Sequence, residues 1–420
     1  MSQPEAQATL LVQQAEQYLL VEDFTSAIPL LDQAIALEPD NCHAWGTHGL
    51  TLGHLKRYDG AIESLDQALR LEPNNRNALY NKGLILHELN RDIQAIAIFR
   101  ICTKFIPSDA LAWQGMGISY SALGKHKEAL EAFDRCLEFK PDHFKALVNR
   151  GFTLIQLKRY PQGLNSITSA IKLDPSNPDG WYHRGCAHMQ QGQILKAKED
   201  FEKAIEVEPN YANGWANLGY LLSQINQEEK ALIHYKKAVE LDPSNSIAWN
   251  NMGLSLRRLN RTAEAIAAYD GAVAADPENY EAWDNQGYAH VVLGNYAAAH
   301  RSIDQSLVVN PKHANGYYNR ACCYAAQNDV EPALEALAKA LKLNAKNINR
   351  SPPKIRSLTI SISTHDFYNS WENDRKGSAS QTLDWIAVGG VGVRSALKAA
   401  LMVVRQETVS DALPYELAHS

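Results

Sequence analysis

No GxSxG, HExxH or Walker sequence occurs in the 420 residues, so the motifs that announce a serine hydrolase, a zinc protease or a phosphate-binding loop are missing. Cysteine is scarce: six residues, with no CxxC or zinc-type spacing, leave no zinc ribbon and no dithiol redox motif. Cys322 and Cys323 are adjacent and poorly placed to bond each other. Charge of neither sign dominates. The 41 Lys and Arg against 47 Asp and Glu give a net charge of -6 with no strong basic patch, which argues against nucleic acid as a partner. The opening MSQPEAQ lacks the charged-then-apolar pattern of a signal peptide, so a cytoplasmic location is expected. No cofactor or metal is implied, and no catalytic constellation stands out.

What is present is a period. Pro39, Pro73, Pro107, Pro141, Pro175, Pro209, Pro243, Pro277 and Pro311 stand 34 residues apart without a slip. A fixed spacing of this size marks a stacked-repeat architecture. With proline at position 32, repeats start at residues 8, 42, 76, 110, 144, 178, 212, 246, 280 and 314. Position 4 is then Trp in six of the ten, position 8 is Gly in eight (Gly49 through Gly287), and position 20 is Ala in nine. Positions 4, 7, 8 and 11 share one face of a 3.6-residue helix, so a large residue lies beside a bare glycine where a second helix must approach closely. Position 24 (Phe99, Phe133, Phe201, Tyr235, Tyr269) fills the gap alongside, and position 27 stays small, with Cys102 and Cys136 expected there as buried thiols. Proline cannot continue a helix and turns its predecessor from the helical region, so it ends each second helix.

On these residues the chain resembles the tetratricopeptide repeat family over residues 8–347. The resemblance implies an all-α, right-handed superhelical solenoid of about ten helix-turn-helix units. Residues 1–7 are an N-terminal extension and 348–420 a tail. No single unit can bury its own apolar face, so the units stack into a continuous core.

In this family the first helices line a concave wall through positions 2, 5, 6, 9, 12 and 13. Position 6 is Asn81, Asn149, Asn217, Asn251, Asn285 and Asn319, unbroken over the last four repeats. Asparagine is a mediocre helix former, so propensity alone does not favour it there. One reading is a hydrated position inherited through duplication; the other is an asparagine ladder, similar to that of the nucleocytoplasmic O-linked N-acetylglucosamine transferase, whose amides hold a peptide main chain. Tyr80, Tyr182 and Tyr318 at position 5 and Phe152, Tyr220 and Tyr288 at position 9 flank this row. They are candidate anchors, since tyrosine joins apolar area to a polar tip. The lysine and asparagine that clamp a terminal carboxylate in chaperone-binding members are absent from positions 5 and 9. His43, His48, His54 and His87 have no i, i+4 pair and are expected as solvated groove residues. The expected function is a non-enzymatic scaffold whose partner is an extended protein segment, with self-association open. The rival is the substrate-selecting arm of a glycosyltransferase-type complex whose catalytic part lies on another chain, because 70 tail residues cannot build one.

After Ser351 the repeat frame stops. Val393, Ala396, Leu397, Ala400, Leu401 and Val404 recur at helical spacing, so residues 393–406 read as one amphipathic helix able to cap the last repeat. Arg394 and Lys398, at roughly 3 kcal/mol each, oppose membrane insertion of residues 386–404. The glycine turn in IAVGGVGVRSALK (residues 386–398) begins like a phosphate-cradling loop, but Ser395 stands where a glycine-like residue is required. An out-of-frame origin of the tail is the third reading.

Overall fold

The computed structural model describes residues 3–348, as helices and the short turns between them. The chain divides into two compact units at the Glu208–Pro209 boundary. The first holds α1 (Gln3–Leu20), α2 (Phe24–Leu37), α3 (Cys42–His54), α4 (Tyr58–Leu71), α5 (Arg76–Glu88), α6 (Asp92–Phe105), α7 (Ala110–Ala122), α8 (His126–Phe139), α9 (Phe144–Gln156), α10 (Tyr160–Leu173), α11 (Pro178–Gln190) and α12 (Ile194–Val207). The second holds α13 (Ala212–Gln224), α14 (Glu228–Leu241), α15 (Ser246–Arg258), α16 (Thr262–Ala275), α17 (Tyr280–Val292), α18 (Tyr296–Val309), α19 (Ala314–Gln327) and α20 (Val330–Ile348). Odd-numbered helices are the first of each pair and even-numbered ones the second. No strand occurs among the described residues, and none of the described helices is long and apolar enough to cross a membrane. The candidate tail helix and glycine turn lie outside the described residues.

The close approach of paired helices follows from the small residues. A methyl group added at Gly49, Gly83, Gly117, Gly151, Gly185, Gly219, Gly253 or Gly287 would stand within 3.0 Å of the position-24 side chain of the same pair. Those side chains, Leu65, Phe99, Phe133, Ile167, Phe201, Tyr235, Tyr269 and Ile303, are essentially fully buried. Cys102 and Cys136 are completely buried too, and burial pushes their thiols up to about 12 and about 11.

Two periodic devices join the pairs. The residue at position 15 has a positive φ in all ten repeats: Glu22, Lys56, Asn90, Gly124, Lys158, Gly192, Asn226, Asn260, Gly294 and Asn328. This left-handed residue closes each first helix through backrunning N–H bonds, as from Arg57 to the Leu52 carbonyl at 2.9 Å. The second device explains the tryptophans. Each position-4 indole Nε1–H donates to the carbonyl of the preceding proline, from Trp45 to Pro39 at 2.8 Å through Trp283 to Pro277 at 2.9 Å. Asn41, Asn75, Asp109, Asn177, Asn245 and Asn279 cap the following first helix with their side chains.

Candidate inner-wall site

Within each unit successive first helices pack on one another, as α3 on α5, α5 on α7, α15 on α17 and α17 on α19. The closer-spaced elements of a curved stack form its inner side, so the first helices carry the inner wall of each unit.

The candidate residues divide by burial. Asn81 and Asn149 on α5 and α9, and Asn285 on α17, are half-buried, as are Tyr80, Phe152 and Tyr288. The other members of the row are drawn in. Asn217 is 0% exposed, with its Nδ2 donating to the Asn213 carbonyl at 3.2 Å, and Asn251 and Asn319 retain 6% and 8%. Tyr182, Tyr220 and Tyr318 are likewise buried. The Tyr182 ring lies 6.0 Å from Phe201, the position-24 aromatic of its own pair, so it packs as core and not as an open anchor. Of the four consecutive amides expected as a ladder, Asn285 is the most open, and its Nδ2 donates to Asn250 Oδ1 at 3.0 Å. The row is thus a mixed wall: Asn81, Asn149 and Asn285 keep exposed surface, and Asn217, Asn251 and Asn319 are buried.

Of the four early histidines His43 and His54 are exposed, as expected, whereas His48 and His87 are half-buried. His43 Nε2 pairs with Glu16 at 2.9 Å, His48 Nδ1 meets Ser64 Oγ at 2.9 Å, His87 Nδ1 meets Asp92 at 2.6 Å, and His54 stacks on Phe24 with ring centroids 4.4 Å apart. Burial holds His48 below the ordinary histidine value against the pull of Asp32. Among the described residues no cluster of His, Cys, Asp and Glu could hold a metal ion.

Motif reasoning missed the arginines that sit over aromatic rings. Arg76 lies 4.9 Å from the Tyr80 centroid and pairs with Asp109 through two hydrogen bonds of 2.7 and 3.0 Å. Arg184 lies 4.8 Å from the Trp181 ring and grips Asp200, the shortest contact being 2.6 Å. Arg257, at position 12 of α15, lies 5.2 Å from the Tyr288 ring of the next repeat. Behind it the Tyr269 hydroxyl is fully buried, with Arg257 and Asp284 among its charged neighbours; burial pushes its pKa up to about 12. Asp284 is 4% exposed and meets His313 Nε2 at 3.0 Å through Oδ2. The other carboxylate oxygen, Oδ1, is buried without a hydrogen-bond partner.

Stacked helix pairs with this inner wall define a solenoid repeat protein. Tetratricopeptide repeat models match residues 54–90, 77–109, 110–143, 178–211, 201–233 and, in overlapping segments, 223–348. The chain belongs to the tetratricopeptide repeat family. In sequence, no curated protein matches it significantly. Among solved structures it is similar to a tetratricopeptide repeat protein from Parabacteroides merdae, at 19% identity over 60% of this chain and 99% of that one, with a TM-score of 0.53. Two others are YrrB, described as a TPR protein with an unusual peptide-binding site (24% identity, 44% and 96% covered, TM-score 0.36), and MamA from Desulfovibrio magneticus RS-1 (22%, 40% and 96%, 0.38).

Proposed function

We propose that this chain is a non-enzymatic protein-binding scaffold whose first-helix walls hold an extended segment of a partner protein. The observation that carries this reading is the pairing of a half-buried amide with a half-buried aromatic one turn on: Asn149 with Phe152 on α9, and Asn285 with Tyr288 on α17. Such an amide supplies both a donor and an acceptor, which is what a peptide bond requires whatever its side chain. The aromatic beside it offers a flat apolar surface at low entropic cost. Helices of successive repeats stand about 10 Å apart and an extended chain advances about 3.3 to 3.6 Å per residue, so Asn81 and Asn149, two repeats apart in the first unit, would meet partner residues about six apart.

The test is capture from the native cell by the whole chain and by Asn81→Ala/Asn149→Ala/Asn285→Ala. Each amide bonded to a partner backbone contributes about 0.5 to 1.5 kcal/mol, so the triple variant should lose most of the wild-type catch while its thermal melt holds. An unchanged catch with an unchanged melt would overturn the reading. A transferase as the main captured protein would instead favour the substrate-selecting arm.

A further inference from the structure

Five arginines among the described residues lie over aromatic rings, and four of them already hold a carboxylate. Arg76 has Asp109, Arg135 has Glu138, Arg184 has Asp200 and Arg320 has Asp304. Arg257 over Tyr288 is the exception: no acidic group lies within ion-pair distance, and its Nε is a buried donor with no hydrogen-bond partner. Its neighbour Arg258 is occupied by Ser223 at 2.6 Å and Glu228 at 2.9 Å. Arg257 therefore presents, on the inner wall of the second unit, a guanidinium whose polar neighbour is the Tyr269 hydroxyl and not a carboxylate, six residues along α15 from Asn251 and over the ring of Tyr288.

A guanidinium stacked on an aromatic face is held in place by the ring, and its planar fork matches a carboxylate with two parallel N–H bonds. No carboxylate of this chain pairs with the guanidinium, so a partner's carboxylate adds a charge-assisted pair that the free protein lacks. We propose that Arg257 is a specificity-determining residue of the groove, reading an acidic side chain, Asp or Glu, in the bound segment. The inference rests on the groove reading above and narrows it: the partner's segment is extended and carries a carboxylate at the register of repeat 8. Asp284 lies close to the same buried hydroxyl of Tyr269, but its Oδ1 is itself buried and takes no part in the contact.

The experiment selects binders to the full chain from a library of C-terminally amidated nonapeptides, so that a free chain terminus cannot supply the carboxylate. Wild type should enrich Asp or Glu at one position. Arg257→Gln should lose that enrichment and bind a chosen acidic peptide roughly 10- to 150-fold more weakly. The Glu→Gln version of that peptide should bind wild type and variant alike. Arg257→Lys, which keeps the charge without the fork, should fall between and also reports on folding through its melt. Binders without an acidic preference, or an acidic preference that survives in Arg257→Gln, would overturn this inference and leave the groove reading standing. Enrichment of nothing would overturn both, and recovery of acidic binding only with free C-termini would move the carboxylate from side chain to chain end and so refute the proposal.

Discussion

Gly253 offers the cleanest measure of how tightly the helix pairs close. An alanine there would bring Cβ within 3.0 Å of three ring atoms of Tyr269, whose side chain is fully buried. Overpacking of this kind costs about 1 to 3 kcal/mol. Against it stands the gain of roughly 1 kcal/mol that alanine brings over glycine in a helix interior. The net effect should be a loss of about 0 to 2 kcal/mol, and Gly253→Leu should lose more. Gly46 is the control, since it lies inside α3 and a Cβ there would meet nothing within 4 Å. Gly46→Ala should keep the helix gain alone. Repeat arrays need not unfold as one cooperative block, so a single melting temperature is a blunt reading. Hydrogen exchange of α15 and α16 in the first variant, and of α3 and α4 in the second, is the sharper assay. If Gly253→Ala raised protection as Gly46→Ala does, the glycine would not be a packing requirement, and the account of why helix pairs close at position 8 would fail.

Trp215→Phe removes the Nε1–H that donates to the Pro209 carbonyl at 2.8 Å, and should destabilise the repeat joint by about 1 kcal/mol, read as faster exchange in α13. Lys158 holds φ near 60°, a conformation costing an L-residue about 1 to 2 kcal/mol, so Lys158→Gly should be neutral to stabilising by about 1 kcal/mol in denaturant titration. At Asp109 burial alone would raise the carboxyl pKa, but hydrogen bonds from Arg76 and the Ala112 N–H outweigh it and hold the group below its ordinary value. Its folded value thus lies below its unfolded one, and its stabilisation is present above about pH 4 and lost as pH falls through the folded value. Asp109→Asn should flatten that acid limb of the melting profile and cost about 1 to 3 kcal/mol at neutral pH; an unchanged acid limb would rule the pair out as its source.

The helix pairs and their contacts were legible because duplication repeats the same physical demand: Gly83, Gly117 and Gly253 stand at the same phase for the same steric reason. The turn residue was not, because Glu22, Lys56, Asn90 and Gly124 share a backbone angle and no side-chain property. The tryptophan bond to the proline carbonyl was hidden likewise, since a large residue at position 4 reads as packing until the acceptor six residues back is in place. The inner wall was only half legible. A position number says which face a side chain is on and not what covers it, so Asn217 and Asn285 look equivalent in the repeat frame yet one is sealed and the other half-buried. Arg257 fell outside the motif search because what distinguishes it is a missing partner, which no spacing records.

The bond from each position-4 indole to the proline before it has a consequence for chain length. It spans six residues and straddles the seam between one repeat and the next, as from Trp249 to Pro243 and from Trp283 to Pro277. Excision of residues 250–283 would set Trp249 directly before Asp284, with Asn245 and Pro243 still at their proper offsets behind it. The spliced seam would be chemically the same as either parent. The same holds for any cut of 34 residues made at matching phase, whereas losing 33 or 35 would move the position-8 glycine and the left-handed residue at position 15 out of phase with the start of their helix. Shortening or lengthening of the array is thus quantised, and whole-unit gain or loss is a change this scaffold can survive without any compensating substitution.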